Sequence, residues 1–109
     1  LEKVIFTKHT IDYFDELVFS LFMAGYFSYE EIAQGYVDKI IHFVITDIHT
    51  FPHKKTPSKL KHLGSSYIFY NSTSRTTWYL FFEKKDNNYI ITGILNNHCE
   101  EAKHIVPNP

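Results

Sequence analysis

The chain has 109 residues, with eleven Lys and Arg against twelve Asp and Glu and a formal charge of -1. That length makes one domain with a single core and no need of disulfides or a metal, and the even charge confines any nucleic-acid role to a local patch. A single cysteine, Cys99, excludes an internal disulfide framework, and no apolar run approaches the roughly 20 residues that cross a membrane. With no signal-peptide pattern at its start, the chain reads as a soluble cytoplasmic protein.

Lys3 to Thr7 alternates Val4 and Phe6 with Ile5 and predicts a short first strand. Thr10 then offers a cap for a helix with Asp12 in its first turn, and Ile11, Phe14, Val18 and Leu21 form its apolar stripe. Gly25 ends that helix, because glycine accepts the left-handed conformation after a last turn. Ser28 and Glu31 have capping-box spacing for a second helix, whose stripe is Ile32, Val37, Ile40 or Ile41, Val44 and Ile48. Pro52 closes it. Gly35 costs that helix about 1 kcal/mol of propensity, so a close approach to the first helix is expected there. Two such helices form an antiparallel hairpin whose shared apolar surface must cover a sheet.

From Pro52 to Ser66 the chain is a proline- and hydroxyl-rich connection, with one short helical turn expected around Ser58 to Leu63. It is also the most basic segment, carrying Lys54, Lys55, Lys59, Lys61 and His62. Three runs rich in aromatic and β-branched residues follow, YIFYN, TTWYLFFE and YIITGIL, which predict a meander of antiparallel strands. In the middle run Trp78, Leu80 and Phe82 face one way, and Thr77, Tyr79, Phe81 and Glu83 the other. Both faces carry rings, so one should lie under the helices and the other be partly covered or used for binding. KKDNN between the last two runs has the residues of a hairpin turn. After Leu95 a strand end, a helical turn and a frayed tail over residues 99–109 complete the domain. Eight Tyr and ten Phe exceed what so small a core needs, which points to an interface with a partner.

The order strand, helix, helix, connection, three strands, with KLKHLGSSYIFY leading into TTWYLFFEKKDNNYIITGILNNH, resembles the RelE/ParE superfamily of bacterial toxins, which includes plasmid stabilisation proteins. The resemblance runs from Val4 to about His98. It implies an α+β fold, with an N-terminal strand and a helical hairpin packed on a twisted antiparallel sheet, and an antitoxin protein that wraps the toxin. It further implies one of two actions: messenger-RNA cleavage on the ribosome without metal or other cofactor, or inhibition of DNA gyrase.

Metal-free RNA cleavage needs a base for the 2'-hydroxyl, cations for the developing charge and an acid for the leaving oxygen. Matched onto this sequence, the resemblance assigns catalysis to Lys61, Arg75 and His98: Lys61 or His98 as base, Arg75 as phosphate holder, His98 alternatively as acid. RNA contact would fall to Lys54, Lys55, Lys59, Lys61 and Arg75, with Tyr79 or Phe81 stacking a base. The bland readings are a solvated lysine-rich loop, an arginine that anchors its loop and a surface histidine. One arginine and a slight negative charge depart from the basic surfaces of family RNases, so a ParE-like gyrase inhibitor and a non-toxic antitoxin-binding module remain alternatives.

His42, His49 and His53 lack the ordered ligand spacing of a metal site. Glu30, Glu31 and Asp38 lack an opposing carboxylate for glycosidase chemistry. Cys99 has no thiol partner or flanking Lys or Arg to activate it, and Lys84 and Lys85 read as charges that keep a hairpin edge soluble.

Overall fold

The computed structural model describes residues 2–105. Its elements are β1 (Lys3–Phe6), α1 (Lys8–Met23), α2 (Glu30–Asp47), β2 (Lys54–Lys55), a 3-10 helix Ser58–Leu63, β3 (Ser66–Asn71), β4 (Thr77–Lys85), β5 (Asn88–Asn96) and a second 3-10 helix Glu100–His104. The α+β reading holds, but the sheet is mixed rather than antiparallel throughout. Its order is β1-β5-β4-β3-β2, and β1 runs parallel to β5, with Val4 beside Tyr89 and Phe6 beside Ile91. Short loops, 72–76 and 86–87, enforce antiparallel pairing on the meander strands; β1 is joined to β5 through both helices and the strands β2 to β4, a long connection that parallel strands accept.

α1 starts earlier than the Thr10 cap implied. Thr7 is the cap, its Oγ1 accepting from the Thr10 amide at 3.2 Å. Thr10 is instead fully buried and donates its hydroxyl proton to the Ile91 carbonyl at 2.9 Å, tying α1 to β5. With Thr10 inside, the buried positions are Thr10, Phe14 and Val18, and Ile11 is turned out. Gly25, at φ +80°, ends the helix as expected. The Gly25 amide donates to Phe22 and the Tyr26 amide to Leu21, the paired bonds of a glycine C-cap.

α2 begins after Tyr29, and the Ser28–Glu31 capping box does not form; Glu30 and Glu31 still lie in the first turn, where the helix dipole favours them. Its buried stripe is Ala33, Val37, Ile40, Val44 and Ile48. That phase resolves the Ile40 or Ile41 choice in favour of Ile40 and leaves Ile32, about 100° round the helix from Ala33, exposed. Gly35 has no close neighbour. A Cβ placed there meets nothing within 4 Å, so the expected approach of α1 is absent at this point.

Trp78, Leu80 and Phe82 pack under the helices, and Tyr67, Tyr79 and Phe81 pack on the opposite face beneath Leu60, Ala102 and Ile105 of the 3-10 segments. The second face is thus covered at its centre. A bulge fixes the cover: Phe81 pairs with Gly93 and Phe82 with Ile91, leaving Thr92 as an extra residue whose hydroxyl donates to the Leu63 carbonyl at 2.5 Å. Gly93 lets Leu63 lie directly on the strand, since a Cβ there would be 2.9 Å from its carbonyl oxygen. At the other end of the hairpin Asp86 and Asn87 take φ of 53° and 67°, as a two-residue turn requires.

Most surplus rings are spent inside the fold. Phe51 packs edge-on against both Phe43 and Phe69, and Phe43 also meets Tyr70. Phe19, Tyr26 and Tyr29 remain exposed around the tip of the helical hairpin.

Glu2 ties the start of β1 to two other elements. It accepts from Lys84 of β4 at 2.9 Å and lies 2.9 Å from His49 Nδ1 beyond α2. Those hydrogen bonds, Lys84 first, lower its carboxyl from the ordinary 4.5 to about 2. A depressed carboxyl contributes stability above its unfolded pKa and loses it as the folded form is protonated. Glu2→Gln should therefore flatten the part of the stability curve between pH 4.5 and about 2, with little change of slope above it; denaturant titrations across that range check this.

The glycines divide sharply. Gly64 sits at φ +153°, and a Cβ there would be 2.8 Å from the Phe82 amide nitrogen and 2.7 Å from Thr92 Oγ1. Gly64→Ala should lower the melting temperature clearly, whereas Gly35→Ala should stabilise by about 1 kcal/mol through helix propensity. A shared sign in thermal denaturation would contradict that division.

Candidate functional site

The residues assigned to chemistry do not all meet. Lys54 and Lys55 lie exposed on the edge strand β2, paired with Tyr67 and Ser66. Tyr67 in turn aligns with Phe81, which is roughly 13 Å along β4 from Thr77 at the rise of a strand. Arg75 lies beyond Thr77, at the opposite end of the sheet. Lys59 and Lys61 are exposed on the first 3-10 helix, which covers the sheet face turned away from the helices.

Tyr79 and Phe81 are not available as stacking platforms in this structure. Phe81 is fully buried and Tyr79 is 8% exposed, both under the 3-10 segments. Burial also pushes the phenols of Tyr67 and Tyr79 above their ordinary value, so both stay protonated at neutral pH.

Arg75 and His98 do meet in one corner. His98 Nε2 is 3.1 Å from Thr76 Oγ1, the Asn97 side-chain amide donates to the Arg75 carbonyl at 3.0 Å, and the Thr77 amide donates to Asn97 Oδ1 at 2.9 Å. The His98 backbone amide donates to Asn96 Oδ1 at 2.8 Å, which turns the chain sharply at the end of β5. Neither asparagine supplies a cation; Asn97 stitches the β3–β4 loop to the β5 terminus, and Asn96 shapes the turn that follows it. Arg75 is the chain's one arginine, and it is exposed. Among the described residues its guanidinium has no ion-pair or hydrogen-bond partner.

Beside this corner a cleft of about 460 Å³ opens on the helix side of the sheet. Leu17 and Leu21 of α1 and Trp78 of β4 form its apolar depth; Tyr26 and Phe27 from the hairpin tip wall it; Thr76, Asn96 and His98 stand at its polar edge. The indole N–H of Trp78 donates to Tyr36 Oη at 2.8 Å, and Tyr36 Oη is 2.7 Å from Ser72 Oγ. This bridge fixes α2 to the central strand and to the β3–β4 loop at once. A second cleft of about 380 Å³ lies past the Phe27–Tyr36 ring pair, bordered by Gly35, Lys39 and Tyr70.

Trp78 was legible as a core position but not as part of a cleft, and Tyr36, Ser72 and Thr76 carried no chemical signal in the sequence. The hydroxyl-rich STSR interval was the one hint, since such a run between strands needs partners for its polar groups.

The histidines are engaged separately, His49 with Glu2 and His53 with the Ile48 carbonyl at 2.7 Å. No three His, Cys, Asp or Glu side chains are grouped to hold a metal ion among the described residues. Nor is any described helix long and apolar enough to cross a membrane. Comparison with protein-family models, with curated proteins and with solved structures finds no match to the chain.

Tyr36→Phe removes the oxygen that accepts from a 2%-exposed Trp78. Leaving a buried donor unpaired costs about 1–3 kcal/mol. Urea unfolding of the variant, followed by the fluorescence of this single tryptophan, should show a loss in that range.

Proposed function

We propose that this protein is the toxin of a type II toxin–antitoxin system, acting in the cytoplasm as a ribosome-associated messenger-RNA endoribonuclease. The observation that carries the reading is the shared corner of Arg75 and His98: a guanidinium with no partner among the described residues, on the loop whose Thr76 hydroxyl contacts the His98 imidazole and whose Arg75 carbonyl is bonded by Asn97. In the reaction His98 accepts the proton of a 2'-hydroxyl, the 2'-oxygen bonds to the adjacent phosphorus, and the bond from phosphorus to the 5'-oxygen breaks as that oxygen takes a proton from water, leaving a 2',3'-cyclic phosphate and a 5'-hydroxyl. Arg75 holds the non-bridging phosphate oxygens with its fork of donors while charge builds on them. The strand order and helical hairpin are compatible with the RelE/ParE resemblance. The cognate antitoxin would cover the exposed apolar tip at Phe19, Met23, Tyr26 and Tyr29.

One observation favours a second reading. The sheet stands between the lysines of the first 3-10 helix and the cleft beside His98, so Lys59 and Lys61 do not face the cleft with His98. A ParE-like inhibitor that works by binding gyrase, or an antitoxin-binding module without toxicity, needs no such convergence.

Expression in bacteria with mapping of messenger-RNA 5' ends separates these readings. New ends on induction that vanish with Arg75→Ala and with His98→Ala are the expected result. DNA-damage signalling without new ends supports gyrase as target, and no growth effect at all supports the binding module.

A further inference from the structure

We propose that the cleft between the helical-hairpin tip and the β3–β4 loop is a subsite for one unstacked nucleobase, with Arg75 holding its phosphate at the rim. The inference rests on the RNA reading above and names what that corner would recognise. At about 460 Å³ the cleft falls within the roughly 300–1,000 Å³ of small-molecule sites.

Its chemistry is divided as a base requires. Tyr26 and Phe27 offer ring surface and Leu17 an aliphatic wall, with the buried Trp78 closing the floor beneath them, and every base has a π face that such rings accept without regard to sequence. The Trp78 indole N–H is already committed to Tyr36, so the deep end supplies contact area rather than hydrogen bonds. The polar groups at the mouth are partly committed to one another, Thr76 Oγ1 to His98 Nε2 and Asn96 Oδ1 to the His98 amide, which leaves the Thr73 hydroxyl proton, the Asn96 side-chain NH2 and His98 Nδ1 for a ligand. A base edge can pair with such groups. An aliphatic side chain in the same place would gain apolar contact but return no hydrogen bond to the groups at the mouth.

Charge decides the rest. Arg75 lies between Thr73 and Thr76, two residues that line the cleft, and its guanidinium is unpaired among the described residues. A planar fork of donors carried on the loop that borders the cleft can turn to a phosphate attached to the base inside it. The site lies on the helix side of the sheet, apart from Tyr79 and Phe81 on the covered face.

Trp78 is the single tryptophan of the chain, so its indole N–H gives one resonance that reports on the cleft. The experiment titrates the wild-type protein with AMP, GMP, CMP and UMP to millimolar concentration and follows that resonance by proton–nitrogen NMR. A saturable shift with at least one monophosphate is expected. Arg75→Ala should weaken monophosphate binding about tenfold, the scale of one charge-assisted hydrogen bond, and leave binding of the matching nucleoside unchanged. Leu17→Trp, which projects a large ring from the wall into the cleft, and Leu17→Phe to a lesser degree, should weaken both. No shift with any monophosphate, or a shift that Leu17→Trp leaves intact, overturns the subsite; so does a response to benzene and to no nucleotide. Nucleotide binding without new messenger-RNA ends would sustain the subsite and sink the nuclease, whereas new ends without a shift would do the reverse.

Discussion

Five consecutive residues of β4, Trp78 to Phe82, are buried, and a strand achieves that only when both faces of its sheet are covered. The rest of the molecule answers that demand. The helical hairpin covers one face through Val37, Ile40 and Val44, and Leu60, Ala102 and Ile105 cover the other. A fully buried aromatic or large aliphatic side chain contributes about 1.5–3 kcal/mol, and β4 places such side chains alternately into two separate clusters. Loss of either cover would therefore expose rings on the strand that all the others flank or follow.

The two covers differ in kind, and that difference positions the corner of interest. Regular helices make the first, and they end in a glycine-capped tip whose Tyr26 and Phe27 overhang the sheet end. Short 3-10 segments make the second, held by the Thr92 bulge and by the close seat of Leu63 on Gly93. The helix side leaves a gap where α1 stops and the β3–β4 loop begins. Polar side chains gather at its edge because backbone groups released at the strand ends need partners there, which Asn96 and Asn97 provide.

A cleft built this way combines a stiff floor with a looser rim. Trp78 and Tyr36 are bonded to each other and packed in the core, while Arg75 projects from a loop with nothing among the described residues to hold its guanidinium. The lysines serve elsewhere: Lys84 secures Glu2, and Lys54 and Lys55 place charge on an edge strand that would otherwise invite pairing with another chain.

Local chemistry in the sequence by itself determined four of the five strands, both helices, the 3-10 turn at Ser58–Leu63 and the Asp86–Asn87 hairpin, because period, β-branching and turn residues act over a few positions, whereas the two-residue strand Lys54–Lys55 inside the basic connection exists only by pairing with β3. It also determined the two faces of β4, since alternation is a property of the strand alone. Only the tertiary structure decided the parallel partner of β1, the inward turn of Thr10, the open space at Gly35 and the burial of Tyr79 and Phe81. Each depends on contacts between segments far apart in the chain. For the same reason the sequence could nominate Lys61, Arg75 and His98 together, but the hydrogen bonds between the β3–β4 loop and the end of β5 joined Arg75 to His98, and the sheet kept the cleft beside them apart from the lysine-bearing turn.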